Sequence, residues 1–354
     1  MAHHLTLCLP GLRPPAGLAS ELSQYLEQIP AKERPQLDNL NLLLSRADRL
    51  AVSDIVEHEF ICDHLLAETN QEHRWPLAAW RLCQENLQLA NQDSTAASEG
   101  WLCADPVYIH PDRTEALLLA HEELELQLEE AQALAQLINQ HYQDEPWQLH
   151  VASTHRWYIQ TDRDYDITTR SLARVKGLNI FEHLPSGEDS RYWQQCMNEI
   201  QMLLHASDIN MQREAQGQLP VNSLWLWGHG RTVSPGGFPW RHVYSNDAVV
   251  TGLALGSGSE VHAMPESANQ IDNQHDKVFI YMDTLQRLLQ QQDIHGWLAE
   301  LQSVEDNWFK PLMQSVRNQQ LELTLLFDDQ QAYRLGARQL RRWWRRRKSN
   351  QLLS

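Results

Sequence analysis

Apolar residues along the chain follow two different periods, and the switches between them outline the fold. His4 to Leu9 is a nearly continuous apolar run closed by Pro10-Gly11, the pattern of a buried first strand ending in a turn. Helical spacing takes over at 21–29, 37–50, 54–68 and 76–89, the last opening with Pro76 at a first helical turn. Residues 90–100, ANQDSTAASEG, lose all periodicity and predict a surface loop at a domain boundary.

Strand-like spacing returns at 101–110, while 114–128 is ambiguous between helix and strand because acids interrupt its short apolar runs. A firm helix is predicted over 128–142, and two strands around a turn over 147–161. A second strong helix covers 189–208, followed by a polar loop and a buried strand at 222–228. Residues 249–256 read as a strand or as a short element crossing into helix. A strand at 277–283, helices from Thr284 and over 297–319, and a strand at 321–329 complete the pattern. The class is therefore α/β, with a largely parallel sheet and a smaller inserted α+β domain. The predicted boundaries are 1–98 and 221–337 for the two parts of the α/β core, 99–220 for the insertion, and 338–354 for a basic tail.

Charge sharpens that division. The chain carries −17 overall, yet residues 338–348 hold seven basic groups and no acid, leaving 22 basic against 46 acidic residues elsewhere. A body this acidic repels nucleic acid and anionic membranes, so either could be met only through the tail, where Trp343 and Trp344 add a stacking or interfacial surface. The alternative for the tail is a solubilising terminus. No run of about eighteen apolar residues occurs, which excludes a spanning helix. The first residues lack the basic and apolar regions of a signal peptide. Five scattered cysteines, without zinc-site spacing, read as reduced thiols in a cytoplasmic protein.

Polar groups concentrate in Asn198–Arg231, where a helix gives way to a buried strand, a common ligand position in open α/β sheets. Arg213 offers a planar fork for phosphate or carboxylate, and His205 a proton near neutrality. Asn210 and Asn222 can donate and accept, and Gly228 and Gly230 allow close backbone approach. With Trp225, Trp227 and His229 they form the candidate ligand-binding set, aimed at a small phosphorylated or carboxylated ligand or a protein partner. The competing reading is structural: a helix end, loop backbone satisfied by asparagine, and glycines that end a strand. His58, Cys62 and His64 look metal-like, but His64 leaves the helical face of the other two.

The stretch HASDINMQREAQGQLPVNSLWLWGHG, carrying His205, Asn210, Arg213, Asn222, Trp225, Trp227, Gly228 and Gly230, resembles the archaeal-type cofactor-independent phosphoglycerate mutases of the alkaline phosphatase superfamily. ADPVYIH, ITTRSLARVKGLNIFEHLPSGED and NEIQMLLHASDIN further resemble bacterial phosphoglycerate-mutase-like proteins described as regulatory and of the RpfE type, which have no agreed activity. The resemblance implies an alkaline-phosphatase-like core with an inserted smaller domain. In the superfamily it implies two divalent metals and a Ser or Thr nucleophile.

This chain departs from that pattern where the chemistry would lie. Pro10-Gly11 stands for the expected Asp-Gly, residues 31–41 contain neither Ser nor Thr, Ser45 falls within a helical pattern, and Asp328-Asp329 replaces a final Asp-His. A metal site could be rebuilt only from scattered candidates: Asp283, Asp293, His295, Asp306, Asp328 and Asp329. Magnesium or manganese is the ion such oxygen donors would take, and a solvated acidic face is the plainer explanation. The expectation is a non-catalytic or catalytically altered relative, binding a small anion or a protein partner in a regulatory role. The alternative is a divalent-metal-dependent phosphomutase or phosphohydrolase with a rearranged metal site.

Overall fold

The computed structural model describes residues 3–14, 16–30, 34–51, 75–85, 100–111, 116–119, 121–231, 238–272, 275–327 and 331–342. The helix expected at 54–68 with His58, Cys62 and His64, the loop up to residue 99, Asp328, Asp329, Trp343 and Trp344 lie outside them. The chain forms two compact units, one from Met1–Gln71 with Pro235–Ser354 and the other from Glu72–Ser234. The insertion therefore starts earlier and ends later than the sequence pattern suggested, at 72 rather than 99 and at 234 rather than 220.

The first unit opens with β1 (His3–Cys8), α1 (Ala16–Gln28), α2 (Asp38–Arg46) and β2 (Asp48–Ala51). The helical pattern read over 37–50 thus stops at Arg46, where Ala47 turns to an extended conformation and releases the chain into a strand. Ser45 lies inside α2 and donates its hydroxyl to the Leu42 carbonyl. The second unit comprises α3 (Leu77–Gln84), β3 (Gly100–Pro111), β4 (Ala116–Leu119), α4 (Leu128–His141), β5 (Trp147–Val151), β6 (Trp157–Thr161), α5 (Leu172–Val175), α6 (Ser190–His205), α7 (Asp208–Ala215) and β7 (Ser223–Arg231). α7 replaces the predicted polar loop, started by Ser207, whose hydroxyl accepts the Asn210 backbone N–H.

The chain then completes the first unit with β8 (His242–Tyr244), α8 (Ala248–Gly256), β9 (Glu260–His262), β10 (Val278–Tyr281), α9 (Thr284–Gln290), α10 (Ile294–Val304), a wide π turn at Glu305–Phe309, α11 (Lys310–Arg317), β11 (Leu321–Leu326), β12 (Gln331–Leu335) and α12 (Ala337–Leu340). Residues 249–256 are helix. β8, β9 and β12 were not expected from the sequence.

In the first unit the strand order is β2-β12-β11-β1-β10-β8-β9. Five neighbouring strands, β11 to β9, run parallel, and β12 returns antiparallel to both β11 and β2. Alternation decides which residues face the helices: Leu5, Leu7, Val278, Ile280, Leu323 and Leu325 share one core with Leu40, Leu43, Leu301 and Val316. Gly11 occupies the Asp-Gly position of the related pattern for a packing reason. Its φ is +78°, and a Cβ there would lie 2.4 Å from the Gln286 backbone nitrogen.

The second unit is an antiparallel sheet in the order β4-β3-β6-β5, with β7 also paired to β3. This pairing explains the shifted boundary. The Trp-rich strand read as the return to the main core belongs to the insertion, and α3 packs onto it.

Candidate metal centre

The residues selected from sequence as a ligand-binding set all lie in the second unit, and the structure gives most of them internal work. Arg213 is 1% exposed. Its guanidinium donates to Glu130 Oε2 at 2.7 Å, to the Leu219 carbonyl at 3.0 Å and to the Leu124 carbonyl. Glu130 also accepts the Gln127 backbone N–H at the start of α4, so one carboxylate joins a helix cap to a buried arginine. Asn210 bridges the Leu204 and Val221 carbonyls and accepts from the Val221 N–H. Asn222 holds the backbone of Ile109 in both directions. Arg213, Asn210 and Asn222, expected from sequence to bind an anion together, thus each spend hydrogen bonds within the second unit, on backbone groups and, for Arg213, on a carboxylate.

Trp225 and Trp227 are buried, donating to the Arg170 carbonyl and to Asp105 at 2.8 Å each. Asp105 is fully buried and receives a two-pronged contact from Arg81, at 2.7 and 2.8 Å. Arg81 also reaches the Tyr158 hydroxyl, so this charge pair is closed by surrounding donors and acceptors. Gly228 and Gly230 are required by close packing. A Cβ at either would meet Leu77 or Pro76 within 2.8 Å. His229 is buried beside Thr161 and Asp164. Of the set, His205 and Asn222 line an open groove, about 360 Å³, with Ile109, Phe181, Met197 and Asn198.

The acidic candidates in the first unit do not converge either. Asp283 pairs with Arg287, Asp293 accepts from the Gly296 N–H at the head of α10, and Asp306 accepts from Gln302. His295 is exposed. A two-metal centre of the kind the resemblance implies does not fit these described residues. Their donors meet no common point, and the Asp283 and Asp293 carboxylates are already engaged with neighbours on their own helices.

Among the described residues, one group of metal-binding side chains does converge: His242, His262 and His275, with one donor atom from each lying within 4.8 Å of the others. Strand register creates it. His242 and Tyr244 alternate on β8, and parallel pairing sets Glu260 opposite His242 and His262 opposite Tyr244 on β9, the edge of the sheet. His275 enters from the segment leading into β10. Its ring stacks on His242 at 3.8 Å, with planes 3° apart. His242 Nδ1 lies 3.2 Å from His262 Nε2 and 3.4 Å from Glu260 Oε2.

Tyr244 Oη contacts His275 Nδ1 at 3.1 Å, and Asp272 Oδ2 lies 3.8 Å from His275 Nε2. Burial, with help from His275 and His242, holds the His262 pKa below its ordinary 6.5. The neutral imidazole is the form that binds metal. Sequence reading missed this group because its members come from two three-residue strands and a connecting segment, with no motif spacing. The one local signal was the alternation His-x-Tyr and Glu-x-His, which means nothing until β8 and β9 are paired.

Fold and site together define an α/β protein with a mixed, largely parallel main sheet, an inserted α+β unit and a histidine cluster at the sheet edge. Its sequence is 30% identical over 118 residues to a probable 2,3-bisphosphoglycerate-independent phosphoglycerate mutase of Geobacter sulfurreducens, covering 32% of this chain and 30% of that protein. Against 2,3-bisphosphoglycerate-independent phosphoglycerate mutases of Methanosarcina barkeri and Methanothermobacter thermautotrophicus it is 30% and 32% identical, over 25% of the chain and 22% of each relative. The matches span less than a third of these relatives. A distant relationship to this group of mutases is supported on that basis. No protein-family model matches the chain. Among solved structures, a cofactor-independent phosphoglycerate mutase of Thermoplasma acidophilum aligns over 95% of the chain and 90% of its own, at 14% identity and a TM-score of 0.42. A Pyrococcus horikoshii protein aligns over 95% of the chain and 87% of its own, at 10% identity and 0.49. Among the described residues no helix is long and apolar enough to cross a membrane.

Proposed function

We propose that this protein acts on a phosphorylated small molecule with a divalent cation held at a rearranged site, as a phosphohydrolase in preference to a mutase. The observation that carries the reading is the convergence of His242, His262 and His275 in a chain distantly related to phosphoglycerate mutases. A cation bound there would neutralise phosphoryl charge and acidify a water molecule. Hydrolysis is favoured over transfer because residues 31–41, where the resemblance places the nucleophile, contain no Ser or Thr to carry a phosphoryl group. Full-length protein, stripped of metal and reloaded with zinc, manganese or magnesium, is assayed on p-nitrophenyl phosphate and 3-phosphoglycerate. The expected result is metal-dependent phosphate release, no 2-phosphoglycerate, and loss of turnover in His262→Ala. Turnover that ignores both metal and His262, or none with any ion, would remove this reading.

A second reading, a regulatory protein of the RpfE kind without catalysis, is favoured by one specific contact. Glu305 is 2% exposed, and its carboxylate accepts the Asn39 and Leu40 backbone N–H groups at the start of α2. An internal anion thus takes donors of the early helix beside which the resemblance places a nucleophile. On this reading the metal assays stay silent, and a small phosphorylated ligand raises the melting temperature without being consumed.

A further inference from the structure

We infer that the ion at the histidine cluster is of the zinc kind, with Glu260 as its fourth protein donor and Tyr244 as the residue that fixes the tautomer of His275. This rests on the preceding proposal that the cluster holds a cation, and it adds the ion's identity and two residues.

Donor chemistry sets the class of ion. Three imidazoles and one carboxylate suit zinc and its late first-row neighbours, whereas magnesium prefers an octahedral set of oxygens. Geometry agrees. Zinc–nitrogen and zinc–oxygen bonds of about 2.0–2.1 Å in a tetrahedron place neighbouring donor atoms roughly 3.3 Å apart. His242 Nδ1 is 3.2 Å from His262 Nε2 and 3.4 Å from Glu260 Oε2, so two edges of such a tetrahedron already stand. Without an ion, the shorter edge is an N–H···N contact between two imidazoles, and binding would replace that shared proton.

The third ring is held by its other nitrogen. Tyr244 Oη is 3.1 Å from His275 Nδ1 and also interacts with the Asp272 backbone N–H. A phenol oxygen accepting from both keeps the proton on Nδ1 and leaves the Nε2 lone pair for the ion, as outer-shell partners commonly do in metal sites. Asp272 adds negative charge 3.8 Å from that Nε2. The side chain of Glu260 is 72% exposed. It can swing onto the ion without disturbing the core, and it leaves the site open to solvent.

The test uses full-length protein stripped with chelator, titrated with zinc by calorimetry and with cobalt by visible absorption. One equivalent of zinc per chain is expected, not displaced by a hundredfold excess of magnesium, and the cobalt form should show the intense bands of four-coordination. Glu260→Gln and Tyr244→Phe should each weaken zinc by about 10–100-fold, with unchanged circular dichroism in chelator. His262→Gln should abolish stoichiometric binding. Weak octahedral cobalt bands, equal competition by magnesium, or wild-type affinity in both Glu260→Gln and Tyr244→Phe would overturn the assignment. Tight zinc binding without phosphate release would uphold it and remove the phosphohydrolase reading alone.

Discussion

Arg213 shows what a single side chain does when its charge is enclosed. It lies at 1% exposure between Glu130 and two backbone carbonyls. Removing it takes one donor from Glu130, whose side chain is 25% exposed and keeps the Gln127 N–H, and leaves the Leu124 and Leu219 carbonyls without their donor, at about 1–3 kcal/mol for each buried group left unsatisfied. Arg213→Ala should therefore lower the urea midpoint sharply with little change in slope, and Arg213→Lys should recover only part of it because one ammonium cannot reach all three acceptors. Wild-type midpoints in both would contradict the structural role. The residue types around Arg213 were visible in the sequence, but their partners were not. Glu130 looks like an ordinary first-turn acid until the fold brings a residue far along the chain to it. His150 gives a residue-level pH prediction. Burial holds its pKa below the ordinary 6.5, beside Trp101. The unfolded chain then takes the proton first, so its contribution is complete above pH 6.5 and is lost as the pH falls from there to the lower folded-state value. His150→Gln should flatten melting temperature against pH in that window, with the slope from His183 and His262, both also lowered chiefly by burial, remaining. An unchanged slope would show that His150 is not a source of it.

At the level of elements, the π turn at Glu305–Phe309 and the start of α2 form one device. Glu305 Oε1 accepts from the Asn39 backbone and side chain, and Oε2 accepts from Leu40. α2 has no capping side chain of its own, so a distant carboxylate satisfies donors that the helix leaves open. Glu305→Ala should cost about 1.5–3 kcal/mol, the range for charge-assisted hydrogen bonds. Glu305→Gln should cost less, since one oxygen still accepts; chemical unfolding followed by fluorescence distinguishes the two. Equal stability of all three proteins would show that the contact is incidental. Long periodic elements were legible from sequence, because an apolar face of a dozen residues has few alternatives: α4 and α6 lie within three residues of expectation. Short strands were not. β8 and β9 carry three residues each, too few to show a period, and exist because β10 and then β8 offer them a free edge.

For the whole molecule, composition and pattern gave an α/β core with an α+β insertion, while the boundary moved because β7 pairs with β3 and carries the Trp-rich strand into the insertion. That shift also relocates chemistry. The segment that drew attention by its arginine, asparagines and glycines stabilises the second unit, and the histidines that drew none assemble at the sheet edge of the first. The claim of an imidazole-rich cation centre is tested most directly by X-ray absorption at the zinc edge on the full-length protein after dialysis. The expected result is about one zinc per chain, a first shell of roughly four nitrogen and oxygen atoms near 2.0 Å, and outer-shell scattering from three imidazole rings. A six-oxygen shell without imidazole scattering, or zinc that washes out entirely, would contradict it.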